Sequence, residues 1–564
     1  MTSERIVECV PNFSEGRDKA VIDAIARALG SVNGATVLDV DPGAATNRTV
    51  ITLVGSPEAV MEAAFRGIRT AAELIDMSVH KGAHARMGAT DVCPFIPVTG
   101  VSMDECAELA RKLGRRVGDE LGIPVYLYES AASRPERRNL ADVRAGEYEG
   151  LAEKMLQPAW KPDFGPVQFN ARSGATVIGA RPFLIAYNVN LNTKQKKLAT
   201  EIANAVREQG RPQRGADGKL LKDAQGRTIC TPGRLKTVKA VGWVIEEYSR
   251  AQVSVNVTNY EVAGLEAVFD ACEEEARALG VRVTGSELVG LVPLAAMRQA
   301  GRYFLAKQGQ CTGQSDARLV EVAVQSLGLA ELKPFKPQEA IIEWRLAAGK
   351  KSLAGLTLEA FADELASDSP APGGGSVAAL VGSLGAALCS MVANLSVGRK
   401  GLEHADKANN AIAEAAQSLK AELLHAIDDD TQAFEEFMAA SRLPKASPAE
   451  AAARAAALDR ATKRAVDVPL HVLGRMGAVL RLAEGALENG NPNAASDAAS
   501  AAACALAAAE AAHYNVLTNI RPLDPVPAWA SEARANAATL MHSVSSAAAA
   551  VRGKFLVRME PQNS

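Results

Sequence analysis

The feature that most constrains the fold is a change of pattern near residue 330. Before it, short β-rich runs alternate with helical runs, whereas the remaining residues are rich in alanine and show almost no strand signal. The chain of 564 residues is also too long for one core, since single cores rarely grow past about 250 to 300 residues. The sequence therefore predicts a multidomain protein, with an α/β part followed by an all-α part.

The α/β part is predicted to consist of two βαββαβ-like sub-domains. The first is read from strand 5–10, helix 19–29, strands 36–40 and 49–54, and helix 57–75, followed by a further helix and strand. The second is read from strand 183–189, helix 194–209, strands 238–245 and 253–257, helix 262–279 and strand 281–283. The polar stretch 211–233 is predicted to be a surface loop.

Residues 335–352 are predicted to link the α/β part to an alanine-rich helical bundle. The bundle helices are expected at 357–366, 375–397, 404–440, 448–487, 493–519 and 527–552. The predicted domains are thus 1–180 and 181–334 in the α/β part, the linker 335–352, and a helical domain at 353–564.

Composition favours a small-molecule enzyme. The formal net charge is only -3, so no global field selects nucleic acid or an anionic membrane. The eight cysteines form no close pair, which indicates a reducing compartment and no zinc site. Glu4, Arg5 and Glu8 interrupt any apolar run at the N-terminus, so no secretory signal is expected. We expect a cytoplasmic protein.

Residues 370–398 carry no charge, and a stretch of about twenty such residues can span a bilayer. Glycine, alanine and serine dominate the stretch, and Asn394 lies near its end. This composition favours a helix packed tightly inside a protein bundle over a membrane span.

The richest polar cluster of the α/β part is HKGAHARMGATDVCPF, with His80, Lys81, His84, Arg86 and Asp91. Two histidines four residues apart on a helix would suit zinc, but the glycines favour a loop and no HExxH pattern is present, so we expect no metal. In a catalytic interpretation, an imidazole moves a proton while Lys81 and Arg86 attract a carboxylated substrate. In the alternative, one histidine only hydrogen-bonds the loop.

Two other loops are candidates to meet this cluster. LDVDPG brings Asp41 to a strand end, where a carboxylate could orient an imidazole. TNRTV places Asn47 and Arg48 before the next strand. Arg48 has the planar fork that clamps a carboxylate, although an arginine that caps a strand pair at the surface is the commoner outcome.

Several blocks of the α/β part together resemble glutamate formiminotransferase. They are PNFSEGR, TNRTV, HKGAHARMGATDVCPFIPV, PVYLYE, RAGEYEGL, PDFGP and GARPFLIAYNVNL. The resemblance covers about the first 345 residues. It implies transfer of a formimino group from N-formimino-L-glutamate to the 5-nitrogen of tetrahydrofolate, with two α/β sub-domains and folate between them.

The same resemblance assigns site residues. The catalytic histidine of that family matches His84, for which Asp41 is the expected partner, and Asn47, Arg48 and Arg86 are expected to bind substrate. The family's folate-binding stretch matches Gly165, Pro166, Val167, Gln168, Phe169, Asn170, Ala171, Arg172, Ser173 and Gly174. Glycines there would let the backbone approach a flat ring closely.

In the helical part, the acidic run IDDDTQAF lies on a helix with an apolar stripe. The stripe consists of Leu419, Leu423, Ile427, Phe434 and Phe437. Continuing its spacing of three and four places Asp430 toward the core, whereas Asp428 and Asp429 are turned away and can stay hydrated. A carboxyl group among apolar side chains has a raised pKa and can act as an acid or base near neutral pH. A purely structural buried aspartate is the alternative.

The stretch SPAPGGGSVAAL places glycines before a helix start, where free backbone amides favour a carboxylate or an electron-rich ring edge. No GK[ST] follows, so a nucleotide is not expected. The alternative is that the glycines only permit close helix crossing.

Further blocks resemble formimidoyltetrahydrofolate cyclodeaminase over about residues 352–551: APGGGSVAAL, IDDDTQAF, RLPK, GNPNAASDAASAAA and NVLTNI. By this resemblance Asp430 is the catalytic aspartate, and 5-formiminotetrahydrofolate is cyclised to 5,10-methenyltetrahydrofolate with release of ammonia. Ser376, Lys445, Asn493 and Asp497 are weaker candidates for its folate pocket. Asp497 is also explained as a favourable charge in the first turn of a helix.

Because both families occur fused in this order, the whole chain resembles the fused formimidoyltransferase-cyclodeaminase family of histidine degradation and one-carbon metabolism. The resemblance implies tetrahydrofolate as co-substrate, polyglutamylated or not, and no metal, pyridoxal phosphate or nucleotide. It also implies an even-numbered homo-oligomer with bundle faces as contacts. Two other interpretations stay open: an inactive first half that serves as a folate-binding dimerisation platform, and a non-enzymatic scaffold.

Overall fold

The computed structural model describes residues 5–44, 46–82, 85–223, 226–245, 248–349 and 352–560. Strands alternate with helices up to residue 289, and among the described residues after it the named elements are all helices. The predicted combination of an α/β part with an all-α part is therefore confirmed.

The first sheet has seven strands with helices packed against it. The strands are β1 Ile6–Cys9, β2 Asn12–Phe13, β3 Ala35–Gly43, β4 Arg48–Gly55, β5 Thr90–Thr99, β6 Val125–Glu129 and β7 Thr176–Ala180. The helices are α1 Lys19–Gly30, α2 Pro57–Leu74, α3 Met103–Leu121, α4 Leu140–Arg144 and α5 Leu151–Met155. The strand order is β1-β4-β2-β5-β7-β6, with β3 paired to β4. β5, β7 and β6 are parallel, so the long connections between them place loops at one edge of the sheet.

The second sheet has the predicted βαββαβ order. This unit contains, in chain order, β8 Ile185–Leu191, α6 Lys196–Val206, β9 Arg211–Pro212, β10 Cys230–Thr231, β11 Val238–Ile245, β12 Arg250–Val257, α7 Leu265–Ala278 and β13 Val283–Val289, of which β9 and β10 form a separate two-stranded sheet. Four of these strands pair antiparallel in the order β11-β12-β8-β13. The last strand was predicted at 281–283 and is longer than that, because its pairing with β8 continues through Val289.

The stretch 211–233 is not the simple surface loop that was predicted. β9 and β10 pair antiparallel, and isolated bridges join Arg214 to Leu220 and Lys222 to Thr228. Its polar composition hid this pairing, because a two-stranded arm with little core beneath it needs few apolar residues.

Helices α8 Leu294–Lys307, α9 Asp316–Leu327, α10 Pro337–Ala340 and α11 Ile342–Ala347 follow the second sheet. The last two lie within the segment 335–352 that was predicted as a linker. Ile341 and Ile342 are fully buried in the core of the second α/β unit, and Ile341 bridges to Val292. The described part of the chain that crosses between the two halves is therefore shorter than the sequence indicated.

The helical half consists of α12 Leu358–Leu365, α13 Gly374–Asn394, α14 Asp406–Ser441, α15 Pro448–Asn489, α16 Ala495–Ile520 and α17 Ala528–Met559. Eight of the ten buried residues of α16 are alanines. Such small side chains let helix axes approach closely, which explains why an alanine-rich sequence still forms a core.

Within the described residues, α13 is the one helix long and apolar enough to cross a membrane, and 61% of its apolar stretch is buried inside the protein. It packs against α14, α15 and α16. These contacts agree with the prediction of a helix enclosed by a bundle.

The two halves also meet at the loop between α8 and α9. Thr312 donates from its backbone to Asn410 (2.8 Å) and from its hydroxyl to Glu414 (2.5 Å) on α14. Asn394 at the end of α13 donates to the carbonyl of Gly313 (3.0 Å). A Cβ on Gly313 would lie 2.6 Å from the backbone nitrogen of Glu414, so glycine is what allows the loop to reach the bundle.

We predict that Gly313→Ala destabilises the protein by roughly 1–3 kcal/mol, because the added methyl group meets backbone that cannot yield. Thermal or denaturant unfolding measures this. Gly553→Ala is the matched control, since nothing lies within 4 Å of a Cβ there and alanine favours the helix. Equal stability of Gly313→Ala and wild type would contradict the described packing of this loop.

Candidate active sites

The loop that carries the polar cluster of the α/β half is held by Asn47. Its side-chain oxygen accepts from the backbone of Gly16 (3.0 Å), and its amide donates to the carbonyl of Lys81 (3.1 Å). A Cβ on Gly82 would lie 3.0 Å from the Cβ of Asn47, so the two loops touch because residue 82 is glycine. Asn47 is buried and bonded on both its oxygen and its nitrogen, so it supports the loop, and its role in substrate binding stays a prediction.

His80 is fixed at both ring nitrogens. Its Nε2 lies 3.0 Å from the carbonyl oxygen of Asn47, and its Nδ1 accepts from Nε of Arg86 (3.3 Å). A carbonyl can only accept, so Nε2 carries the proton and the ring is neutral. His80 is therefore the histidine that hydrogen-bonds the loop. His84, to which catalysis was assigned, lies outside the described residues, and its role stays a prediction.

Arg86 does not offer a free guanidinium to a substrate carboxylate, as the sequence had suggested. Its Nη atoms donate to Glu147 (3.1 Å) and to Glu149 (2.9 and 2.6 Å), and its side chain is only 9% exposed. Hydrogen bonding to Glu149 raises the pKa of Arg86, so the guanidinium stays charged. These three residues line a pocket of about 550 Å³ together with Lys81, Gly82 and Gly146.

The predicted folate-binding stretch 165–174 lies beside this pocket. The Tyr148 hydroxyl donates to the carbonyl of Ala171 (2.5 Å), and the backbone of Ala89 donates to the carbonyl of Ser173 (2.8 Å). Within the stretch, Ser173 and Gly174 are buried, Gly165, Phe169 and Asn170 are half-buried, and the exposed residues are Pro166, Val167, Gln168, Ala171 and Arg172. Its exposed middle is available to a ligand.

Asp41 and Arg48 lie on neighbouring strands. Asp41 is exposed on β3, and its partnership with His84 stays a prediction because His84 is not described. Arg48 is half-buried at the start of β4. Burial lowers the pKa of its guanidinium, and the charge of Asp91 opposes this. Arg48 is thus not the exposed strand cap of the alternative interpretation.

In the helical half, Asp430 faces the glycine-rich start of α13. The Ser376 hydroxyl donates to its Oδ2 (2.9 Å), and a Cβ on Gly375 would lie 2.6 Å from its carboxyl carbon. Burial raises the pKa of Asp430, while Ser376 acts in the opposite direction. The carboxyl group thus points toward α13, and its catalytic role stays a prediction.

The two preceding aspartates are not simply hydrated, contrary to the prediction. Asp428 accepts from the hydroxyl of Ser352 (2.7 Å) and the backbone of Leu353 (2.6 Å), because the end of the interdomain connection crosses α14 at this point. Asp429 lies 4.0 Å from Arg464 on α15, and burial raises its pKa. Helical spacing alone could not show these neighbours.

Three of the weaker candidates lie away from Asp430. Lys445 is exposed in the loop after α14, and this helix ends at Ser441, eleven residues or about 16 Å of helix beyond Asp430. Asn493 and Asp497 lie near the start of α16, close in sequence to Asn491. The backbone of Asn491 donates to Ser396, which follows the C-terminal end of α13, and Asp430 faces the N-terminal end of that helix. A helix as long as α13 spans about 30 Å, so one chain does not bring these two residues to Asp430.

Four residues at these sites were not assigned from the sequence. Three of them, Glu147, Tyr148 and Glu149, belong to the block RAGEYEGL. This block contributed to the family resemblance, but no local pattern in it indicated a binding role. Asn515 belongs to the block NVLTNI, and its Nδ2 lies 2.9 Å from the position of a Cβ on Gly374, so it borders the glycines that face Asp430. Over the described ranges, no group of three or more His, Cys, Asp or Glu residues could hold a metal ion.

Comparisons with known proteins identify the family. Family models match three segments: the formiminotransferase domain N-terminal subdomain over residues 6–181, the formiminotransferase domain over 186–347, and formiminotransferase-cyclodeaminase over 357–539. The formimidoyltransferase-cyclodeaminase of Mus musculus is 43% identical over 559 residues, which is 99% of this chain and 100% of that protein. The chain belongs to the formimidoyltransferase-cyclodeaminase family.

Two further relatives each align with part of the chain. The glutamate formimidoyltransferase of Streptococcus pyogenes is 43% identical over 301 residues, covering 53% of this chain and 93% of that protein. The crystal structure of formiminotetrahydrofolate cyclodeaminase from Thermotoga maritima is 29% identical, covers 37% of this chain and 98% of that chain, and superposes with a TM-score of 0.32.

We predict that Asp430→Asn raises the melting temperature at pH 7.5 by about 2 °C, because the wild type must hold a charge in a partly desolvated place. A carboxyl group whose folded pKa is raised stabilises the fold fully below its unfolded pKa and loses that contribution as pH rises through the folded value. The gain should therefore vanish near pH 4. Asp459→Asn, at an exposed position of α15, is the control. A gain that persists at pH 4 would show that its cause is not the charge.

Proposed function

We propose that the chain is a bifunctional folate enzyme, which transfers the formimino group of N-formimino-L-glutamate to tetrahydrofolate and then cyclises the product. One observation carries the proposal. Each half holds a cluster of ionisable groups beside a loop or helix start that is open to a ligand, and each cluster lies on the motif blocks of the matching family.

In the transfer step, the 5-nitrogen of tetrahydrofolate attacks the formimino carbon and forms a C–N bond. His84 takes the proton that this nitrogen loses and gives it to the glutamate nitrogen, so that the old C–N bond breaks and glutamate leaves. His80 cannot take this part, because both of its nitrogens are held within the loop. The stretch 165–174 is proposed to bind the pteridine ring, and Asp41 to orient His84.

In the cyclisation step, the formimino group is protonated, and the 10-nitrogen attacks its carbon and closes a five-membered ring. Asp430 accepts the proton from this nitrogen and returns it to the departing nitrogen, which leaves as ammonia, and the product is 5,10-methenyltetrahydrofolate. A raised pKa suits this exchange, because a carboxyl group works best in both directions when its pKa lies close to the ambient pH. The free backbone amides at the start of α13 would bind an electron-rich edge of the folate.

The same proposal includes the organisation of the chain: transferase sub-domains at 1–180 and 181–334, the second of which is extended by α10 and α11 of the segment 335–352, and a cyclodeaminase domain at 353–564. All eight cysteines are free thiols, which supports a reducing, cytoplasmic location. Leu384, Met391 and Leu395 form an exposed apolar stripe on α13, which supports contacts between bundle faces in an even-numbered homo-oligomer.

We predict that His84→Ala lowers formation of 5-formiminotetrahydrofolate at least about 100-fold, because a proton transfer is lost. The variant should still cyclise 5-formiminotetrahydrofolate that is supplied to it. Asp430→Ala should accumulate this intermediate and release no ammonia. A coupled assay measures both, following methenyltetrahydrofolate by near-ultraviolet absorbance and ammonia separately.

His542→Ala and Asp459→Asn, at exposed positions of the helical half, serve as controls and should match wild type. Transfer by His84→Ala at the wild-type rate would favour an inactive first half that only binds folate. If the wild type formed neither product, the proposal that the chain is an enzyme would be refuted.

A further inference from the structure

The pocket beside the His80 loop presents carboxylates to a ligand, with the arginine beneath them. Its ionisable lining consists of Lys81, Arg86, Glu147 and Glu149. The glutamate side chains are 44% and 64% exposed, whereas that of Arg86 is 9% exposed. A ligand that enters the pocket therefore meets Glu147 and Glu149 before it meets Arg86.

Arg86 has no donor left for a substrate. Its three nitrogens make five hydrogen bonds: Nε to His80 Nδ1, Nη1 to Glu147 and Glu149, and Nη2 to Glu149 and the His80 carbonyl. A guanidinium carries five N–H groups, so this set is complete. Arg86 holds the two carboxylates in place and is a positioning residue.

The carboxylates keep acceptor capacity. An ionised carboxylate has about four acceptor positions, and Arg86 takes two on Glu149 and one on Glu147. The hydrogen bond from Arg86 also lowers the pKa of Glu149, which keeps that group ionised at neutral pH. The wall is therefore negatively charged, and a planar cation with N–H groups is the ligand chemistry that fits it.

The segment that carries the two glutamates is fixed on its other side. Tyr148 turns away from the pocket, donates to Ala171, and packs its ring 5.4 Å from that of Phe169 in the stretch 165–174. Glu147 has φ of 54°, in the left-handed region that L-residues rarely adopt. Strain of this kind is found where the position of a side chain matters for function.

We propose that Glu147 and Glu149 bind the cationic amidine of the formimino donor. The inference rests on the proposed transfer activity and names the recognition within that same site. An N-formimino group is an amidine, which is protonated at neutral pH and planar, with one N–H on each nitrogen to match the two oxygens of a carboxylate. Lys81 is exposed at the same pocket and suits a carboxylate of the donor. The donor carries both the positive amidine and negative carboxylates.

The test compares N-formimino-L-glutamate with N-formyl-L-glutamate, which has the same shape but a neutral amide. The KM of the first and the inhibition constant of the second are measured for wild type, Glu147→Gln and Glu149→Gln. Each variant should raise the KM about tenfold or more and change the inhibition constant less than about threefold, since only the charged ligand loses a charge-assisted hydrogen bond. Cyclisation of supplied 5-formiminotetrahydrofolate should be unchanged.

Glu153→Gln, at an exposed position of α5 outside the pocket, is the matched control and should leave both constants unchanged. A parallel loss of affinity for both ligands would overturn the inference, because it would indicate a structural role for the glutamates. An unchanged KM and an unchanged inhibition constant in both variants would also overturn the inference. The wild type gives a second measurement that does not depend on folding of the variants: the inference fails if it binds the neutral ligand as tightly as the charged one. Failure of the proposed function is distinct, since the wild type would then transfer no formimino group.

Discussion

Both candidate sites depend on places where two pieces of backbone meet without room for a Cβ. Gly82 lets the polar loop of the transferase half rest on residues 46 and 47, and Gly375 lets α13 lie against the carboxyl group of Asp430. A methyl group at either position would separate the elements that hold the polar groups. The geometry of each site therefore follows from close approach of main chain, while the polar side chains occupy positions that this approach defines.

Much of the helical half could be predicted from the sequence, because its helices are long and bounded by clear signals. Ser447 caps α15 with Glu450 three residues later, and the predicted start of that helix matches the observed one. The direction of Asp430 followed from the period of its own helix. The neighbours of Asp428 and Asp429 did not, since Leu353 and Arg464 come from other parts of the chain.

The α/β half shows the same limit more strongly. The order of strands and helices in the second unit could be predicted, but the two-stranded arm at 211–233 could not, because polar residues pair there without a hydrophobic pattern. Arg86 was foreseen as a free cation, whereas the structure joins it to glutamates about sixty residues later in the chain. Pairing of opposite charges that lie so far apart in the sequence produces no periodic sequence pattern. The sequence blocks thus indicated the cations Lys81 and Arg86 and did not indicate the glutamates that pair with Arg86.

Helix α14 contacts both the loop of the transferase half and the interdomain connection. Near its start, Asn410 and Glu414 accept hydrogen bonds from the loop of the transferase half. Further along, one half-turn before Asp430, Asp428 accepts a hydrogen bond from the end of the interdomain connection. The sixteen residues from Glu414 to Asp430 form an uninterrupted rod of about 24 Å. The number of residues in this rod sets its phase as well as its length. A single residue inserted between Glu414 and Asp430 would turn Asp430 by about 100° away from Gly375 while the loop stayed docked, so the spacing between these two contacts is fixed by the helix itself.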